Sequence, residues 1–107
     1  MSAAIAEAVI AALPAEGSVE VTGTGELATG LRSRLRERTG GAHDRVGAAV
    51  DTTGDLGLIA DLLTRLDDLG TLVLAGPPAP EPPALDLYAD LHVRGLTVVG
   101  IAPQRGT

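Results

Sequence analysis

The chain has 107 residues, with 45% hydrophobic and 1% aromatic content, no cysteine, no lysine and a formal net charge of −6. The missing cysteine excludes disulfides, thiolate nucleophiles and the usual zinc clusters, and the missing lysine excludes a Schiff-base amine or a Tyr/Lys acid–base pair. An acidic surface repels nucleic acid and anionic membranes, so a single domain over 1–107 is expected, cytoplasmic, with a core of Ala, Val, Leu and Ile in close backbone contact.

In chain order, the N-terminal apolar run lacks a basic lead and is interrupted by Glu7. It reads as a packing helix over 2–13 rather than a signal or membrane segment, with Ser2 as cap, Ile5, Val9 and Leu13 on one face, and a stop at Pro14. A core over 18–101 then begins with a strand at Val19–Thr22, which runs into Gly23-Thr24-Gly25-Glu26-Leu27-Ala28. That turn opens a helix carrying Leu27, Leu31 and Leu35, which Gly40-Gly41 ends, with 42–45 as loop.

Val46 to Gly76 organises the rest. Apolar runs at Val46–Val50 and Leu72–Ala75, with little alternation, flank Leu56, Ile59, Leu62, Leu63 and Leu66 at helical spacing behind Asp55, a helix cap. Two strands buried on both faces and joined by such a helix make a parallel βαβ unit. The proline-rich stretch 77–83 predicts a stiff extended connection, and 85–94 a short helix with Leu87, Tyr88 and Leu91 inward, closed by Gly95. Leu96–Ile101 predicts a fourth strand, and 102–107 a frayed tail.

Laid end to end, these segments resemble the nucleotide-binding domain of medium-chain dehydrogenases, the zinc alcohol dehydrogenase family. VEVTGTGELA is similar to that family's first strand and glycine turn, VGAAVDTTGD to its fourth strand and loop, GTLVLAGPP to its fifth strand, and LHVRGLTVVGI to its sixth. The resemblance implies an α/β fold, a reduced Rossmann-like domain of about four parallel strands with helices covering the sheet. It also implies losses: the catalytic domain with its zinc ligands has no counterpart, and neither do the second and third strands nor the carboxylate that holds the adenosine ribose. With strand order 1-2-3-4, right-handed crossovers would place all three crossover helices on one face and leave the other to the N-terminal helix. The first crossover helix is therefore expected to change faces, or the strand order to change. Val19, Val21, Val46, Val50, Leu72, Leu74, Leu96 and Val98 are expected on the bulky side, and Glu20, Thr22, Gly47, Ala49, Thr71 and Ala75 on the weaker one.

The turn fits G-x-G-x-x-[GA], so Gly23, Thr24, Gly25 and Leu27, with Thr52 and Gly76, form a candidate dinucleotide contact set. Two readings stay open, NAD(P) binding and retained turn geometry. Glu26 in the first helical turn repels phosphate, and the ribose carboxylate is missing, so the second is preferred and no cofactor is expected. Arg32, Arg34, Arg36 and Arg38, with Arg45 nearby, form either a solvated face or a docking patch for an acidic peptide. His43 and His92 are too few and too separated for a metal set, and Tyr88 with His92 makes no acid–base motif. Asp51, Asp67 and Asp68 read as strand-end and helix-surface carboxylates, and no catalytic triad can be assembled.

The last strand is apolar enough to be an aggregation hazard if left bare. In the resembling family it pairs antiparallel with its twofold mate. Leu96, Val98, Val99 and Ile101 are therefore expected at the seam of a homodimer, or of a heterodimer with a full-length dehydrogenase; the alternative is a strand covered by the tail or the N-terminal helix. The function expected is a non-catalytic accessory or peptide-recognition module. The alternative is the NAD(P)-binding portion of an oxidoreductase whose catalytic groups come from another chain.

Overall fold

The computed structural model describes residues 3–39, 45–77 and 91–101. Its elements are α1 (Ala3–Ala12), β1 (Val19–Thr22), α2 (Glu26–Arg34), α3 (Arg36–Thr39), β2 (Val46–Asp51), α4 (Leu56–Arg65), β3 (Leu66–Leu74) and β4 (Thr97–Gly100). The strands form one sheet in the order β1-β2-β3-β4, and all neighbours are parallel. This is the expected α/β architecture of four parallel strands with helices. Ser2, His43, Gly40-Gly41, the prolines after Pro77, Leu87, Tyr88 and the tail lie outside the described residues.

Two core clusters show which helix covers which face. Val9 and Leu13 of the α1 region, and Ala28, Leu31 and Leu35 of the α2 region, pack on Val19, Val21, Ala48, Val50 and Val73. Leu62 and Leu63 of α4 pack with Val46, Ala49, Leu66 and Leu72 on the opposite face. Register sets this division, because Val21 pairs with Val50 and Val50 with Val73, while Ala49 pairs with Leu72 and Leu72 with Val98. Side chains alternate along a strand, so Leu72, Leu74 and Val98 share a face with Glu20 and Thr22, not with Val19 and Val21. The expected division into one bulky and one weak side is overturned.

The helix placement is corrected too. The connections β1-α2-β2 and β2-α4-β3 step the same way across the sheet, yet their helices lie on opposite faces. They must have opposite hands, so one is the left-handed form that parallel connections avoid. The first crossover helix did not join α4's face, and α1 lies with α2. The physical reason lies in β1. Its other face presents Glu20 and Thr22, which offer no apolar seat for Leu31 and Leu35, whereas Val19 and Val21 do.

Several boundaries differ from expectation. The helix after the glycine turn breaks at Leu35, whose N–H reaches back to Leu31 O at 2.9 Å, and resumes as the short α3. β3 starts at Leu66 rather than Leu72, so Asp67 and Asp68 are exposed residues of an extended segment, not of a helix surface. Between its pairings Val46–Leu66 and Ala48–Thr71, β3 carries a bulge in which Leu69 takes φ 66° and is 81% exposed. Arg45 and Arg94 tie the bulge down: Arg45 bonds the Asp67 carboxylate and the Leu66 carbonyl, both at 3.0 Å, and Arg94 donates to the Leu63 carbonyl at 2.7 Å and to that of Leu66.

At the C-terminal ends of the strands, the loops after β2 and β3 touch through backbone. A Cβ on Gly76 would lie 2.7 Å from Gly54 N and 2.8 Å from Thr53 N, atoms that cannot rotate away. Replacing Gly76 by Ala should therefore force the two loops apart and lower stability by about 2 kcal/mol, read as a lower urea midpoint at unchanged m-value.

Candidate functional site

A cleft of about 420 Å³ opens at these strand ends, lined by Ile5, the turn residues Gly23 to Ala28, Thr52, Thr53, Ala75 and Pro77. Gly23, with φ 103°, lets β1 turn directly into α2. Gly25 is the N-cap of α2 and provides no side-chain cap, so the first amides of the helix face the cleft mouth without an internal acceptor. Glu26 stands exposed in that same first turn. Of the six residues expected to contact a dinucleotide, Gly23, Thr24, Gly25, Leu27 and Thr52 line the cleft together. Gly76 does not; it packs behind, against the Thr52–Gly54 backbone.

Beneath the cleft lies a network that sequence reasoning treated only as a strand-end carboxylate. Asp51 is 1% exposed. Its Oδ1 accepts from the hydroxyls of Thr22 and Thr53, each at 2.7 Å, and its Oδ2 accepts from Gly54 N at 2.8 Å. Thr52 Oγ1 in turn donates to Thr22 O at 2.6 Å, which joins the ends of β1 and β2. Next along the chain, Asp55 caps α4 as expected, with Oδ1 accepting from Gly57 N at 2.8 Å and Leu58 N at 3.2 Å. The readable signal was the set Thr22, Thr52 and Thr53 around the one acidic residue that ends an otherwise apolar strand. Chemically the network is a carboxylate saturated by short-range donors, a device for holding loops.

The arginines do not form one patch. Arg32 Nη2 donates to Val21 O at 2.6 Å, Arg38 Nε to Gly17 O at 2.7 Å, and Arg34 pairs with Glu7 at 2.6 Å, leaving Arg36 exposed on α3. On the opposite face Arg65 bridges Glu20 at 3.1 Å and Asp61 at 3.5 Å, and the hydrogen bond it donates to Glu20 is the main reason its pKa lies above the ordinary arginine value. His92 is exposed in the turn before Gly95. Among the described residues no three His, Cys, Asp or Glu side chains converge as a metal set would. Nor is any helix among them long and apolar enough to cross a membrane. At the β4 edge, Val98 is 37% exposed, Leu96 packs against the α4 cluster, and Val99 and Ile101 pack against the α1/α2 cluster.

No protein-family profile and no curated protein matches the chain. Among solved structures, an alcohol dehydrogenase zinc-binding domain protein from Burkholderia ambifaria superposes with a TM-score of 0.65 at 20% identity, over 91% of this chain and 37% of that one. The chain has a Rossmann-like fold. A benzyl alcohol dehydrogenase from Acinetobacter calcoaceticus is similar over 78% of this chain and 26% of its own, with 23% identity and a TM-score of 0.48, and the fold assignment rests on the first match. This Rossmann-like domain spans little more than a third of the Burkholderia protein's length.

If the Asp51 network holds the loops, Asp51→Asn should cost about 2 kcal/mol, because the amide nitrogen that replaces one carboxylate oxygen cannot accept, which leaves either Gly54 N or the Thr22 and Thr53 hydroxyls without their acceptor. In thermal denaturation followed by circular dichroism this is expected as a fall in Tm of roughly 10 °C.

Proposed function

We propose that this chain is a non-catalytic binding module related to the nucleotide-binding domain of medium-chain dehydrogenases, acting as an accessory subunit of a partner enzyme. The observation that supports this reading is the direction of the polar groups under the cleft. Asp51, Thr22, Thr52 and Thr53 are all bonded to one another or to loop backbone rather than turned toward a reactant. In addition the sheet of the described residues ends at β1, on the side where such domains continue to seat adenosine. The partner would be a second copy or a full-length dehydrogenase, joined through β4, where Val98 offers exposed apolar surface. Peptide recognition draws less support, since Arg32 and Arg38 are committed to backbone carbonyls.

One observation favours a second reading, that of an NAD(P)-binding portion of an oxidoreductase: the uncapped start of α2 faces the cleft, as a pyrophosphate site requires. Calorimetric titration with NAD(H) and NADP(H) separates the two. The expected outcome is no saturable binding below about 1 mM, because Glu26 opposes phosphate and the adenosine half of the cleft has no wall. Affinity of micromolar order, abolished by blocking the α2 start with Gly25→Asp, would establish the second reading instead.

A further inference from the structure

Among the described residues β1 has a strand on one side only, and its other edge is the place where a strand from another molecule would most readily add. Its neighbour β2 holds one side: Ser18 O accepts from Ala48 N at 3.1 Å, and Thr22 O accepts from the Thr52 hydroxyl. Carbonyls alternate in direction along a strand, so that of Val21 points the other way, outward from the sheet. An edge of this kind, Val-Glu-Val-Thr with no second strand beside it among the described residues, is a template for strand addition. Two carbonyls along it are covered. The guanidinium of Arg32 sits on the outward Val21 carbonyl at 2.6 Å, and that of Arg38 on the Gly17 carbonyl at the entrance to the strand at 2.7 Å.

We infer that Arg32 and Arg38 are edge guards, which occupy the Val21 carbonyl of β1 and the Gly17 carbonyl just before the strand and keep a second copy of this chain from extending the sheet there. A guanidinium suits the task. It offers several donors in a fixed plane, its stem covers apolar surface, and its charge stays in place at every physiological pH. The two come from successive short helices, α2 and α3, whose break at Leu35 sets the second helix beside β1. Arg38 keeps its position although its Nη2 is buried without a hydrogen-bond partner among the described residues, a cost that a merely solvated arginine would avoid by turning outward. Arg34 and Arg36 are the internal control, because they lie on the same two helices and bond neither the Gly17 nor the Val21 carbonyl: Arg34 pairs with Glu7, and Arg36 is exposed. This inference is independent of whether a partner joins at β4, since it concerns the opposite edge of the sheet.

The test is sedimentation equilibrium of the full chain, comparing R32A/R38A with R34A/R36A. Both variants lose the same charge from a protein already at −6, and the extra negative charge opposes association in both. R32A/R38A is expected to self-associate at least tenfold more tightly than the unaltered chain, with new hydrogen-exchange protection at Val19 and Val21. R34A/R36A is expected to match the unaltered chain. A folded R32A/R38A variant with unaltered association overturns the inference, as does equal association of the two double variants. If R32A/R38A does not fold, R32A alone decides: association above the unaltered chain sustains the inference, and unaltered behaviour overturns it.

Discussion

The C-terminal ends of β1, β2 and β3 stay together because one carboxylate is buried among them. Asp51, at 1% exposure, is the kind of group that costs several kcal/mol to place in a core unless its oxygens are fully engaged. They are, by the hydroxyl of Thr22 at the end of β1 and by the Thr53 hydroxyl and Gly54 amide of the loop after β2. Ala75 N closes the arrangement on the other side with a 2.9 Å bond to Asp51 O. Burying the charge is thus linked to ordering the turn after β2, and the cleft above it has a floor only because that linkage holds.

That floor also engages the polar groups of the site with one another. A general base needs a lone pair facing the reactant, and a nucleophilic hydroxyl needs a base beside it. Here the hydroxyls of Thr22 and Thr53 donate to Asp51, and that of Thr52 donates to Thr22 O. What faces the cleft mouth is a helix start with a carboxylate in its first turn. The dipole of α2 attracts an anion and Glu26 supplies one covalently, so much of the field an incoming phosphate would use is already satisfied.

The architecture was largely legible, and so was the cap at Asp55. Four short apolar segments with helical spacing between the middle two leave few alternatives to a parallel sheet, whereas the strand order stayed open until the pairings were seen. Face assignment was not legible. It depended on register, and a shift of one residue moves every side chain to the other face. The bulge at Leu69 and Gly70 absorbs extra residues that no periodicity announces, which placed Leu72 and Leu74 opposite to expectation. In the site, glycine spacing located the cleft. The role of Asp51 was hidden because its partners are hydroxyls and an amide, which carry no charge pattern in sequence. The arginines misled for the same reason: their acceptors are backbone carbonyls, present at every position.

The handedness of the first crossover ties these observations together. Two successive crossovers of opposite hand are rare, because a right-twisted strand feeds its helix back comfortably on one side only. On the α4 face, α2 would have had to seat Leu31 and Leu35 over Glu20 and Thr22. Three buried apolar residues of the α2 region, Ala28, Leu31 and Leu35, contribute on the order of 5 kcal/mol by leaving water. On the other face they would also have to displace Arg65 from its bridge to Glu20. Side-chain chemistry on the two faces of β1 therefore favours the face that α2 occupies. The same geometry sets α2 and α3 beside the β1 edge, close enough for Arg32 and Arg38 to reach its carbonyls. A helix packed on the opposite face would not have presented those arginines to the same acceptors, so the placement of α2 and the covered Val21 carbonyl share one cause.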